Sequence, residues 1–235
     1  MNILAIGCHP DDIEIGCVGT LIRYAREGHN VSMCTVANGE MGHVVIVPDE
    51  LRIIRRKESE AAARVVGADF YYVDAVGDGQ VEASNKETRL QLIEIIRKTR
   101  PDVIITHNPD DYMRDHMQTS AMATDASFIS TIPHIVTDSS YTTCLPTIIY
   151  MDTLAGIGFI PTEYVDISDV IEQKLEALAC HESQIKWMMD HDNIDFLDFV
   201  RTCSKYRGLQ SGVAYAEGFR LYAGWPRFRT YRTLP

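Results

Sequence analysis

The chain has 235 residues, of which 46% are hydrophobic, enough apolar volume for one sizeable α/β core, and it carries a formal net charge of −11. That charge excludes a nucleic-acid-binding role, which needs clustered lysine and arginine to displace counterions; the densest basic run, Arg52 to Lys57, is followed at once by Glu58 and Glu60. No stretch approaches about 18 uninterrupted apolar residues, and the N-terminus enters a strand without a basic leader or cleavage site, so a cytoplasmic protein independent of membranes is expected.

Residues 2–8 read as a buried apolar strand, and the polar turn Cys8-His9-Pro10-Asp11-Asp12 leads from it into a helix over 13–27 that Gly28 ends. A second strand is expected at 31–37. A helix follows over 50–66, opened by Pro48-Asp49, with Leu51, Ile54, Ala61, Ala62 and Val65 on its core face. Next come a strand at 69–74, a helix over 86–99 opened by Ser84-Asn85, and a strand at 102–107. The last third reads as a strand at 147–151, an edge segment near 163–167 and a helical region from 168 to about 207. Alternating strands and helices predict an α/β protein: a single domain over 1–235, Rossmann-like and layered, with a mostly parallel sheet flanked by helices. Segments 38–49 and 108–116 follow strand C-terminal ends, where open α/β sheets place their ligands. The six cysteines form no Cys-x-x-Cys pair and are expected reduced, with Cys8 facing away from His9 by strand alternation.

The chemistry gathers in two loops. His9 and Asp12 sit three residues apart across a bend, so an imidazole nitrogen and a carboxylate oxygen can share one cation. A third ligand must come from afar, and His116, in the polar loop after the strand at 102–107, is the candidate. Two histidines and a carboxylate leave a tetrahedral zinc one open position, the hydrolytic arrangement. Taken alone, His-Pro-Asp-Asp also suits a turn whose aspartate caps a helix. Asp11 is the carboxylate left over for general-base work; it also complements the helix dipole. Asp115 either orients the His116 ring or pairs with Arg114. His107, at a strand end facing the site, is a candidate supporting residue, whereas His29, His43, His134, His181 and His191 have no motif context. There is no Gly-x-Gly-x-x-Gly after the first strand, no Gly-x-Ser-x-Gly and no Gly-x-x-x-x-Gly-Lys, which excludes dinucleotide binding, serine acyl transfer and P-loop chemistry.

These residues resemble the PIG-L (LmbE-like) family of zinc-dependent N-deacetylases, marked by His-Pro-Asp-Asp after strand one and a later His-Pro-Asp-His. Gly16, Gly19 and Thr20, Asn38-Gly39-Glu40, Arg56-Lys57-Glu58, Gly77-Asp78-Gly79 and Tyr215-Ala216-Glu217-Gly218-Phe219 extend the resemblance almost to the C-terminus. It implies one Zn2+ per chain on His9, Asp12 and His116, with Asp11 as base and an N-acetylated amino sugar or glycoside as substrate. By similarity Arg56 and Asp78 grip that substrate, although Arg56 also stands one helical turn from Glu60 as an ion-pair partner. One position departs from the pattern. Met113 stands where the family has the histidine that steadies the oxyanion or protonates the leaving amine, and a thioether donates no proton. Met113 then lines the substrate pocket or fills a gap, and Arg114 or Tyr206 is nominated as the replacement donor. The alternative is a carbohydrate-binding or regulatory protein that kept the metal and lost turnover. A homo-oligomer is also expected, with Phe196, Leu197, Phe199 and Val200 as the interface unless they cap the sheet.

Overall fold

The computed structural model describes residues 1–73 and 76–227. Strands β1 (Asn2–Gly7), β2 (Asn30–Thr35), β3 (Asp69–Tyr72), β4 (Val103–Thr106), β5 (Thr147–Met151), β6 (Glu163–Asp166) and β7 (Ala216–Leu221) form one sheet ordered β3-β2-β1-β4-β5-β7-β6. The first five run parallel, and β7 lies antiparallel between β5 and β6. Residue 74, the last of the third expected strand, lies outside the described residues.

Side chains alternate along β1, so Ile3 and Ala5 enter one core and Leu4 and Ile6 the other. The first core lies under α1 (Asp12–Gly16), α2 (Val18–Arg26), α3 (Pro48–Val66), α6 (Ile171–Ala179) and α8 (Phe196–Ser211), with α7 (Glu182–Asp192) beside α8. The second lies under α4 (Lys86–Thr99) and α5 (Arg114–Ile129). Helix starts follow local chemistry: Pro48 opens α3, and the Asn85 side chain accepts the N–H groups of Glu87 and Thr88 at the head of α4. Among the described residues no helix is long and apolar enough to cross a membrane.

Three expectations are revised. The single helix over 13–27 is two, broken at Cys17. The break frees the first turn of α2, where the Glu217 carboxylate accepts the N–H groups of Gly19 and Thr20 at 2.9 and 2.8 Å. Thus Gly19-Thr20 and Tyr215–Phe219 are halves of one contact, Gly19 and Glu217 lying 198 residues apart in the chain; Lys174 completes it at 2.6 Å from Glu217. Strand β7 escapes the sequence reading because residues 216–219 are all buried, Glu217 included, so no polar alternation marks it. The helical region divides into α6, α7 and α8. Within α8, Phe196 and Val200 are buried and Leu197 and Phe199 pack partly against the first core, so these four residues cap the sheet.

Candidate active site

Strand β1 is flanked by β2 on one side and β4 on the other, which makes the C-terminal edge between β1 and β4 the crevice of the sheet. Residues 8–12 leave β1 there and residues 107–116 leave β4 there. A cavity of about 340 Å³ opens at this edge, within the range of roughly 300–1,000 Å³ usual for small-molecule sites. His9, Asp11, Asp12, Asp78, His107, Met113 and His116 all line it.

The first loop folds onto its own carboxylate: the His9 N–H donates to Asp12 Oδ2 at 2.6 Å. Asp11 adopts φ 103°, ψ −23°, left-handed backbone that costs a non-glycine residue roughly 1–3 kcal/mol. Its adjacent carboxylates go to different partners. Asp12 collects histidines, with Oδ2 3.4 Å from His9 Nδ1 and 3.3 Å from His107 Nε2, and Oδ1 3.3 Å from His116 Nε2. Asp11 instead receives Arg55 Nη2 at 3.2 Å.

Two overlapping trios, Cys8-His9-Asp12 and Asp12-His107-His116, bring their ligand atoms close enough to share one ion. Hydrogen bonding separates their members. His116 Nδ1 faces Asp111 Oδ2 at 3.1 Å, which assigns the proton to Nδ1. In the neutral ring Nε2 then carries the lone pair; it is buried, 3.3 Å from Asp12 Oδ1, without hydrogen-bond geometry to any partner among the described residues. His9 Nε2 faces Asp115 Oδ2 at 3.4 Å, leaving Nδ1 toward Asp12. His107 differs, because its Nε2 accepts the Cys8 N–H at 2.9 Å and its lone pair is already engaged. Burial, helped by the neighbouring His116, brings His107 down to about 4, so it is a neutral ring that stacks on His116 at 3.9 Å. Cys8 lies beyond the end of β1, where alternation no longer applies, and its Sγ sits 3.7 Å from His9 Nε2 instead of facing away.

The electrostatics match a cation site. Burial alone would favour neutral His116, yet the Asp12 and Asp111 carboxylates raise it to about 10. Burial likewise opposes the charge on Asp12, but the positive charge of His116 holds it well below the usual carboxylate range. A buried cluster that draws positive charge this strongly fits a divalent metal; Asp12 belongs to both trios, His9 to one and His116 to the other, and no single trio holds His9 and His116 together among the described residues. Asp11 behaves oppositely: burial pushes it up to about 6, with Arg55 only partly offsetting.

A family model described as PIG-L, GlcNAc-PI de-N-acetylase, matches residues 4–127, just over half of the sequence. The chain belongs to the PIG-L family. It is 28% identical to the diacetylchitobiose deacetylase of Thermococcus kodakarensis, over 95% of this chain and 84% of that one. Among solved structures, the N,N'-diacetylchitobiose deacetylase from Pyrococcus horikoshii, complexed with its inhibitor MPG, superposes with TM-score 0.80 and 29% identity over 98% of this chain and 87% of that one. GalB, the 4-carboxy-2-hydroxymuconate hydratase from Pseudomonas putida KT2440, superposes with TM-score 0.83 over 100% of both chains at 20% identity, a likeness of fold alone.

On this PIG-L scaffold the remaining expected residues divide. Asp78 lines the cavity and orders the loop after β2, accepting the N–H groups of Gly39 and Met41 at 2.8 and 3.0 Å. Asp115 stands behind His9 and not behind His116 or beside Arg114, and it also accepts the Gly79 N–H at 2.6 Å. Arg114 points outward to Glu82 at 2.5 Å. Tyr206 is exposed and lines a neighbouring cavity. Arg56 lies on the outer face of α3, 3.4 Å from Glu60 and over the Tyr72 ring. The structure therefore does not bring Arg114, Tyr206 or Arg56 to the site. The inward arginine is Arg55, which also donates to Pro10 O at 2.5 Å and Gly39 O at 3.1 Å. Its signal was present: Leu51, Arg55, Glu58 and Ala62 recur at the spacing of one helix face, and all are buried. Asp152, Gln184 and Met188 had no such signal, because only the packed fold brings them to the loops; Asp111 lies in the loop after β4, and its pairing with His116 had no signal.

Proposed function

We propose that this PIG-L protein is a metal-dependent amide hydrolase that removes an N-acyl group, acetyl in the simplest case, from an amino sugar or glycoside. The observation that carries the reading is the buried, unpartnered His116 Nε2, presented toward Asp12 by Asp111 beside a separate carboxylate raised to about 6. The two deacetylase relatives of high coverage support it.

His9, Asp12 and His116 would hold a zinc ion, one per chain, which would supply Lewis acidity to the amide carbonyl and lower the pKa of a bound water. Asp11 takes the proton of the attacking water, since its pKa of about 6 lets it accept near neutrality and still return the proton. As the C–N bond breaks, the same carboxyl group passes that proton to the leaving amine. Arg55 fixes the Asp11 carboxylate throughout. Asp78, within the same cavity, suits the hydroxyls of a sugar. Gln184 also lines the cavity, and the N–H groups of its side-chain amide are assigned the donor role that Met113 cannot fill.

A second reading has Met113 in its favour: a carbohydrate-binding or regulatory protein that retains the metal without turnover. The same fold carries a hydratase in GalB, so fold does not select the reaction. Carboxylate release from a panel of N-acylated amino sugars, measured on zinc-replete protein and again after chelation, decides the matter. Chelator-sensitive release supports the hydrolase; saturable sugar binding without release supports the alternative.

A further inference from the structure

The cavity is lined by two kinds of side chain. Asp78, Arg55 and Gln184 offer hydrogen-bonding groups, and Gly42 sits beside both Arg55 and Gln184. Ile15, Met151, Leu154, Met188 and Phe196 form an apolar wall, with Met41 a further apolar side chain from the loop after β2. Met151 and Phe196 are part of the buried core, and Ile15 and Met188 pack half-buried against it, so the wall is core surface turned toward the cavity. Met113 adds a further apolar side chain from the loop that leads to His116.

An amide carries two substituents, and the two kinds of lining sort them. The hydroxylated amine belongs with Asp78, Arg55 and Gln184, which leaves the acyl group facing the apolar wall. A single methyl would cover little of it. We infer that the site takes an aliphatic N-acyl group larger than acetyl, laid along Met151, Met188, Leu154 and Phe196. Methionine suits this task because its unbranched, polarisable side chain adapts to flexible aliphatic ligands. Asp152, between Met151 and Leu154 in the chain, also lines the cavity, and its carboxylate accepts from Arg207 at 2.5 and 3.0 Å. Met151, Leu154, Met188 and Phe196 also lie beyond residues 4–127, so the acyl wall and the catalytic loops come from different parts of the chain.

The inference rests on the amide-hydrolysis reading of the same site, and binding separates the two. Zinc-replete Asp11→Asn protein is titrated calorimetrically with N-acetylglucosamine, N-hexanoylglucosamine and the hexyl glycoside of N-acetylglucosamine. Each fully buried methylene strengthens binding about fourfold, so partial burial of the hexanoyl chain should tighten it by about tenfold or more. The hexyl glycoside should show no such gain, and Met188→Gln in the same background should cut the hexanoyl gain below about threefold. Hexanoate against acetate on the unmutated protein gives the same comparison should Asp11→Asn fold poorly. Equal affinities for the two acyl groups, a gain for the glycoside instead, or a gain untouched by Met188→Gln overturns the inference. Turnover of N-acetylglucosamine by the unmutated protein is read separately. Hydrolysis without a chain-length gain removes only the acyl wall, and a chain-length gain without hydrolysis of any N-acylglucosamine removes only the proposed reaction.

Discussion

Asp111 Oδ2 lies 3.1 Å from His116 Nδ1, and this one contact determines which nitrogen of His116 faces Asp12. Asp115 does the same for His9 at 3.4 Å, so each of these two imidazoles facing Asp12 has its own carboxylate behind it. Such partners fix ring orientation and raise ligand basicity, and losing one typically weakens metal binding by about 10–100-fold. Asp111→Ala should therefore lower zinc affinity within that range in a chelator competition, while the exposed neighbour Asp110→Ala leaves it unchanged. Unaltered affinity in Asp111→Ala would mean that His116 is not a ligand.

His9→Ala, Asp12→Ala and His116→Ala should each lose most bound metal by elemental analysis. Asp11→Asn should keep the metal and lose turnover by about 10²–10⁴-fold, because an amide nearly preserves shape but cannot take the proton. His107→Asn gives the contrast. Its Nε2 already accepts the Cys8 N–H, so that variant should retain metal to a much greater degree than His116→Ala.

The two loops of the candidate site were legible in the sequence because strand, turn and helix signals placed both at the sheet edge where β1 and β4 end. It could not order the residues within them. Asp111 and Asp115 are both near His116 in sequence, and only the direction of α5 sends Asp115 across to His9. The choice between Arg55 and Arg56 turned on one residue of helix phase: the expected face used Leu51 and Ala62 correctly, but an arginine was not expected to be buried on it. Strand β7 and the wall from β5, α7 and α8 carry no local signature, since their burial is created by long-range packing.

Arg55 opposes burial at Asp11, and a nearby guanidinium lowers a carboxylate by about 1–3 pH units. Removing it in Arg55→Met should raise the Asp11 pKa above its present value of about 6. The base must be ionised to work, so activity falls as pH drops through that pKa. The acidic limb of kcat/KM should therefore move to higher pH by about one unit or more. Arg56→Met, on the outer face of α3, should leave the limb in place. A limb that stays put in Arg55→Met would assign it to another group.

Met113→His introduces a donor at the head of α5, on the wall of the cavity. Turnover should rise or the pH optimum shift, since imidazole titrates within the working range and can donate to an oxyanion or a leaving amine. In the same assay Gln184→Met should lower turnover in the parent protein and cost less in the Met113→His background. Equal losses in both backgrounds would separate Gln184 from the donor role.

Lys174 and Glu217 form a buried pair, 1% and 3% exposed at their side chains, 2.6 Å apart. Glu217 also caps α2 through Gly19, Thr20 N–H and the Thr20 hydroxyl, and Lys174 donates to Ile15 O at 2.7 Å. Removing either partner leaves a buried charge without its counterion, which costs about 3–5 kcal/mol. Lys174→Met should show a loss of that size in chemical denaturation. Glu217→Gln should lose as much, because its amide cannot neutralise the ammonium, although its oxygen still accepts one cap N–H. The double variant should be less unstable than the sum of the two, since neither charge remains to be left alone. Strict additivity would mean that the pair is uncoupled and that the cap alone joins β7 to α2. Because α1 and α2 carry the chain directly away from Asp12, a weakened cap should also lower zinc affinity, which the same chelator competition measures.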